Sequence, residues 1–210
     1  MPSKRQLATN AIHVEQDLIG ENVGSQDQTS AAFGGLNRID FGGIHEILVK
    51  PLILPPEKME RLQRHIMLFF TGQARTASEV AKAQIENIPN KKTDLRQMMQ
   101  LVDEAEAALL DKRDRIEDFG RRLHEQWQIK RGMSSQITNS GIDAIYETGM
   151  KAGALGGKLL GAGGGGFMMF FASPECQPAI KAALQSLLYV PAHFDFLGSQ
   201  IVYFHQDEVV

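Results

Sequence analysis

The sequence holds a single cysteine, Cys176, among 210 residues. One thiol excludes an internal disulfide framework and is what a chain kept in a reducing cytoplasm is expected to carry. The six histidines are scattered, and none falls at metal-ligand spacing, which excludes a zinc module. Long apolar runs are lacking as well. The longest, Phe167 to Ala172, is strand-sized and far short of the ~20 residues that cross a bilayer. The opening stretch, MPSKRQLATNAIHVEQ, lacks the apolar segment of a signal peptide, so neither leader nor membrane anchor is expected. Positive charge is not in excess. The formal net charge of −3 provides no general attraction to nucleic acid or to an anionic membrane surface. What is left is ordinary globular material, 43% hydrophobic and 22% charged, enough for one large domain or two small ones.

Glycine is what the chain has in unusual supply. From Gly153 to Gly166, eight of fourteen residues are glycine, in a chain with 20 overall. A flexible linker would be rich in serine and polar residues. Here the glycines alternate with Leu155, Leu159, Leu160 and Ala162, enclose Lys158, and run directly into FMMFF. Such a backbone is read in two ways. It is either a tight helix-to-strand connection, or a loop whose N–H groups admit a close visitor, most often phosphate. Neither named glycine fingerprint applies. The dinucleotide fingerprint needs a strand before the glycines and a helix after them, and here the order is inverted. The Walker pattern needs Ser or Thr after the lysine, and Leu159 follows Lys158.

Periodicity predicts the remaining elements. Ser3 to Gly20 reads as a capped helix with an apolar stripe of Leu7, Ala11, Val14 and Leu18, and nothing ahead of it covers that face. Residues 21–33 are polar and small and read as a loop. Leu36–Phe41 and Glu46–Val49 are predicted as strands joined through Gly42, Gly43 and Ile44. Pro51, Pro55 and Pro56 break regular structure, placing a domain boundary near 51–62. His65–Phe70 reads as a strand. Helices are predicted over 75–87, 93–110, 114–128 and 139–151, the second with Leu95, Met98, Val102, Ala105 and Leu109 inward. The glycine loop, a strand at 166–172, a helix at roughly 175–188 and a last strand at 200–204 complete the chain. The pattern is α+β, helices grouped against a small sheet, with domains over 1–55 and 60–207.

Other residues invite chemistry with less force. Asp27, inside GSQDQ, is read either as a carboxylate able to accept a proton from a substrate hydroxyl, with Gln26 beside it, or as a solvated Asx-turn residue. Glu15 is either an exposed helix glutamate or a lone carboxylate that holds Mg²⁺ together with substrate phosphates. Arg75 either sits in the first turn of a helix or contacts phosphate or sugar hydroxyls. Lys130 and Arg131 read as a solvated helix end, Trp127 as core, and Cys176 as inert.

GGKLLGAGGGGFMMFF resembles the third signature of the GHMP kinase superfamily, with Lys158, Gly161, Ala162, Gly163, Gly164, Gly165 and Gly166 matching in order. GSQDQTSAAFGG resembles the segment that carries the superfamily's catalytic aspartate. With FTGQARTASEV, LHEQW and SGIDAIYE, the set is most similar to the sugar branch, in the type that acts on a heptose 7-phosphate. The resemblance spans residues 5 to 205. It implies ATP and Mg²⁺ as cofactors, Asp27 as the base or orienting carboxylate, Glu15 as the magnesium ligand, and the Gly161–Gly166 loop against phosphates and substrate. The implied fold is the tail of a ribosomal-S5-domain-2-like domain followed by a ferredoxin-like C-terminal domain.

One departure accompanies the match. The superfamily's Pro-x-x-x-Gly-Leu-Gly-Ser-Ser phosphate loop does not occur in the sequence, nor does the first signature. The expectation is therefore an N-terminally shortened kinase, inactive alone or in need of the missing segment, because preorganised phosphate contacts supply most of phosphoryl-transfer catalysis. The alternative is a non-catalytic interaction module that keeps the fold and self-associates through the uncovered helix face. Nucleic-acid and membrane partners are not expected.

Overall fold

A helix of ten residues, α1 (Lys4–His13), opens the described chain. The Ser3 hydroxyl accepts a hydrogen bond from the Gln6 amide and caps it, as the sequence predicts. The structure is a computed structural model and describes residues 2–42, 46–72 and 77–202. After His13 the coil widens into a π-helical turn, Val14–Leu18. The predicted apolar stripe is not a buried one. Leu18 is 69% exposed and Leu7 and Val14 are exposed too, while Ala8 is the residue of α1 that is buried.

Residues 26–33 correct the reading of a loop over 21–33. They form α2 (Gln26–Phe33), with Ser25 at the N-cap position and Asp27 in the first turn. Short polar residues followed by Thr-Ser-Ala-Ala had masked a helix start. The strands β1 (Asn37–Phe41) and β2 (Ile47–Pro51) pair antiparallel as expected, Ile39 opposite Val49. The predicted turn glycine Gly42 has φ +91°, whereas Gly43 and Ile44 lie outside the described residues.

Regular structure breaks between Pro51, which ends β2, and Pro56, as expected, but a helix that was not expected follows at once. Pro56 occupies the first position of α3 (Pro56–Arg64), where a missing N–H costs nothing. β3 (Ile66–Phe70) follows, then α4 (Ala77–Asn87), α5 (Lys92–Leu110), α6 (Ile116–Arg131) and α7 (Ser140–Lys151). Asn139 caps α7 through the Ile142 amide. In α5 the inward face carries Leu101, Ala108 and Leu109, and the predicted core residue Val102 lies exposed.

The largest correction concerns the glycine run. Gly156–Leu159 is not loop but strand β4, paired with β5 (Phe167–Phe171), so that only the stretch after it turns. α8 is shorter than expected (Gln177–Ala183), and β6 (Leu188–Val190) replaces the last strand placed at 200–204. Residues 200–202 are not strand, and 203 and 204 lie outside the described residues. The four strands run antiparallel in the order β4-β5-β3-β6. Met67 and Phe69 of β3 face Phe170 and Met168 of β5 in register. These side chains join Trp127, Ile142, Tyr146 and Ile180 from the helices in one core. Each large side chain so buried stabilises the fold by roughly 1.5–3 kcal/mol.

Close backbone approach explains the glycines of β4. A Cβ on Gly156 would strike the Gly120 carbonyl oxygen and lie 2.8 Å from the His124 amide nitrogen, so α6 packs directly on the strand's backbone. Gly149 of α7 likewise leaves room for the Phe170 ring.

By internal contacts the chain divides into two units, Met1–Leu52 with Phe194–Val210, and Ile53–His193. The first boundary falls within the proline segment. The second places the residues from Phe194 on with the first unit, whereas the sequence reading kept 60–207 together. Within the first unit, Lys4 Nζ donates to the carbonyl oxygens of Phe33 (2.7 Å) and Leu197 (2.8 Å). Among the described residues no helix is long and apolar enough to cross a membrane.

Candidate functional site

The hairpin between β4 and β5 is held closed by the Leu160 amide, which donates to Phe167 O at 2.8 Å. Gly161–Gly166 forms its tip. Gly161, Gly163, Gly164 and Gly166 all have positive φ, from +75° to +126°, a region that a side chain disfavours. Three neighbours fix the tip. Thr71, just past β3, donates to Gly166 O from both its amide (2.9 Å) and its hydroxyl (2.8 Å). Ile137 O accepts from the Gly164 amide at 3.0 Å, and Ile137 leaves no space for a Cβ on Gly163. Lys130, near the end of α6, donates to Gly161 O at 2.9 Å.

The Gly164 amide is thus used by the protein. Among the described residues, the amides of Gly161, Ala162, Gly163 and Gly165 have no protein acceptor. Gly161 is exposed, the other three are half-buried, and a Cβ on Gly161 would meet open space. Backbone N–H groups without a protein acceptor are chemically able to donate to an anion. Lys158, expected in this loop, instead sits on β4 opposite Met169.

The first unit carries the remaining acidic candidates. Glu15 lies in the π-helical turn, a distortion that recurs at functional sites. Its Oε2 accepts from Gln28 Nε2 at 2.7 Å, so Glu15 and the first turn of α2 are brought together. Gln28 is buried, and its own Oε1 has no hydrogen-bond partner. A buried carbonyl oxygen left unpaired is costly, and it sits on the side chain that steadies the carboxylate. Gln26 and Asp27 are exposed at the start of α2. Arg75 lies outside the described residues.

Magnesium commonly takes one or two carboxylates and completes its shell with substrate phosphates and water. Glu15, oriented by Gln28, is compatible with that donor set. Among the described residues no group of three or more His, Cys, Asp or Glu is gathered to hold a metal by itself.

Sequence reasoning missed Ile137, Lys130 and Gln28, and it considered Thr71 only as a strand-end contact, not as a support of the turn. Lys130 read as a solvated helix end, and no local signal ties position 130 to position 161. Only the packing of α6 across β4 brings them together.

A helix-backed antiparallel sheet whose edge hairpin ends in a glycine turn held by Thr71, Ile137 and Lys130 defines an α+β domain. Residues 105–190 match the family described as GHMP kinases C terminal. The chain is 29% identical over 191 residues to the D-glycero-alpha-D-manno-heptose 7-phosphate kinase of Campylobacter jejuni, covering 86% of this chain and 53% of that protein. It is 27% identical over 189 residues to the mevalonate kinase of Pyrococcus abyssi, covering 87% of this chain and 52% of the relative. The chain therefore spans about half the length of these curated relatives. The crystal structure of a D-glycero-D-manno-heptose 1-phosphate kinase from Bacteroides thetaiotaomicron shares the fold, with a TM-score of 0.71 at 23% identity over 97% of this chain and 57% of that one.

Proposed function

We propose that this chain is part of a cytoplasmic ATP-dependent sugar kinase, one that moves the γ-phosphoryl group of ATP to a hydroxyl of a sugar or sugar phosphate, with a heptose 7-phosphate as acceptor. The observation that carries this reading is the glycine turn, with four amides open to an anion and its backbone fixed by Thr71, Ile137 and Lys130. The likeness to sugar-phosphate and mevalonate kinases supports it. Phosphoryl transfer is catalysed chiefly by positioning and charge stabilisation, which is what such a turn offers.

Asp27 is the carboxylate that accepts or orients the acceptor hydroxyl, with Gln26 beside it. Glu15, steadied by Gln28, would hold magnesium, which offsets phosphate charge. Arg75, Lys158 and the turn from Gly161 to Gly165 bind phosphate and substrate. A Gly-Leu-Gly-Ser-Ser loop does not occur in the 210 residues, so Mg-ATP binding by this chain is expected to be weaker than millimolar. Isothermal titration checks this. Sub-millimolar affinity would make that loop dispensable. Heptose 7-phosphate turnover that survives Asp27→Asn undiminished, in a preparation supplied with the phosphate-loop half, would remove Asp27 from its role.

A second reading has its own observation. Leu18 and Ile19 are 69% and 63% exposed at the end of the first helical stretch. Such a patch favours self-association of a non-catalytic module. Size-exclusion chromatography separates the two, because a clean monomer across a concentration series argues against it.

A further inference from the structure

The carboxylate at position 27 stands just past a stretch without regular structure of its own. Residues 20–24 form neither helix nor strand, and Asp27 follows in the first turn of α2. Gln16, in the π-helical turn, reaches across to that stretch. Its Nε2 donates to Val23 O at 2.9 Å and to the Ser25 hydroxyl at 3.3 Å, so both amide hydrogens are spent there. Ser25 holds the N-cap position of α2, where a serine ordinarily accepts from an amide of the first turn, yet its side chain makes no such bond. Its hydroxyl accepts from Gln16 instead. From the other side, the fully buried Thr29 donates to Ser25 O, at 2.7 Å from its hydroxyl and 3.3 Å from its amide. The backbone leading into Asp27 is therefore gripped from the π-helical turn and from within α2, while Asp27 itself stays exposed.

We propose that Gln16 is a positioning residue for Asp27: it draws Ser25 out of its capping role and so sets where the carboxylate stands. This rests on reading Asp27 as the group that accepts or orients the acceptor hydroxyl. Giving up a cap weakens the start of a helix, and a local rule broken in this way is characteristic of a functional site. Proton transfer needs the carboxylate within hydrogen-bond reach of the hydroxyl, and a misplacement of about 1 Å costs as much as a hundredfold in rate. Gln16 acts through the backbone of residues 23–25 and touches neither substrate nor phosphate.

The test compares Gln16→Met, which keeps the length and loses both donors, with Gln16→Arg, which restores a donor, in the preparation supplied with the phosphate-loop half. Gln16→Met is expected to lower kcat for heptose 7-phosphate about tenfold or more, with the KM for ATP held within about twofold. Gln16→Arg is expected to recover to within about threefold of the unsubstituted protein. In an Asp27→Asn background Gln16→Met is expected to cost nothing further, because a residue acting through Asp27 has no effect once the carboxylate is gone. A loss of the same size in that background overturns the proposal and leaves Gln16 a structural role. Undiminished kcat in Gln16→Met, where Asp27→Asn abolishes turnover, overturns the proposal and leaves the reading of Asp27 standing. Undiminished turnover in Asp27→Asn removes both. The 210-residue chain alone gives a second readout. Backbone order parameters of residues 23–27 are expected near about 0.85 and to fall below about 0.6 in Gln16→Met. Unchanged values there overturn the proposal. Should Gln16→Met fail to fold, a Gln16 side-chain amide as mobile in the unsubstituted chain as those of exposed glutamines overturns it by itself.

Discussion

Gly161 and Gly163 belong to the same turn, yet replacing them meets different obstacles. At Gly161 the φ of +83° is unfavourable for a side chain, but the space is open. Gly161→Ala is therefore expected to cost about 1–2 kcal/mol, the price of a left-handed alanine. At Gly163 the φ is +126° and a Cβ would lie 2.8 Å from Ile137 Cα and 2.9 Å from its carbonyl oxygen. Backbone cannot step aside as a flexible side chain can. Gly163→Ala should cost roughly 2–5 kcal/mol, from strain and overpacking combined. Denaturant melts of the two variants measure the difference, and equal losses would contradict the packing described here. Composition alone marked this stretch as unusual. Which glycines serve φ, which serve contact, and that Gly156 and Gly157 serve a strand, followed only from what lies against them.

At the scale of elements, α6 and α7 carry the domain. Both were legible from their three- and four-residue spacing, and Ile116, Leu123, Trp127, Ile142 and Tyr146 are buried as that spacing required. Tyr146 also makes a prediction in pH. Burial of its phenol pushes its pKa from 10.0 up to about 12, against smaller lowering effects from Gln128 and Arg131. Its hydroxyl lies 2.6 Å from His124 Nδ1. The folded form therefore holds the proton to higher pH than the unfolded form. Stability from this group is complete below pH 10 and is lost as pH rises towards about 12. Tyr146→Phe is expected to lower stability at neutral pH by about 1 kcal/mol, through the lost hydrogen bond. It should also flatten the alkaline decline. An alkaline slope unchanged in urea melts across that range would assign the decline to other groups. The two helices that sequence reading missed share a cause. α2 and α3 begin with residues that also make loops, Ser-Gln-Asp and Pro-Pro, and both are too short for periodicity to outweigh composition.

Across the whole molecule, the residues after Phe194 return to the first unit, which no local pattern announced. There Gly198 has φ +68°, and a Cβ on it would lie 2.6 Å from Ala32 O and 2.8 Å from the Gly34 amide nitrogen. The Ser199 amide also donates to Ala31 O at 2.9 Å. Gly198→Val is expected to raise amide exchange across residues 26–41, while protection in the sheet of β3 and β5 stays within about twofold. Loss of protection in both units together would show that they unfold as one. Glu15, Gln26 and Asp27 belong to the first unit and the glycine turn to the second.

The amino-acid order by itself determined the α+β class, the helical middle, the β1–β2 pairing and the presence of a glycine turn, because these depend on residue type and spacing along a short stretch of chain. Tertiary structure alone decided that Lys130 grips Gly161, that Thr71 and Ile137 hold the rest of the turn, and that Gln28 steadies Glu15. Those pairs lie between 13 and 95 residues apart, and a hydrogen bond between distant residues exists only once packing has set both ends in place.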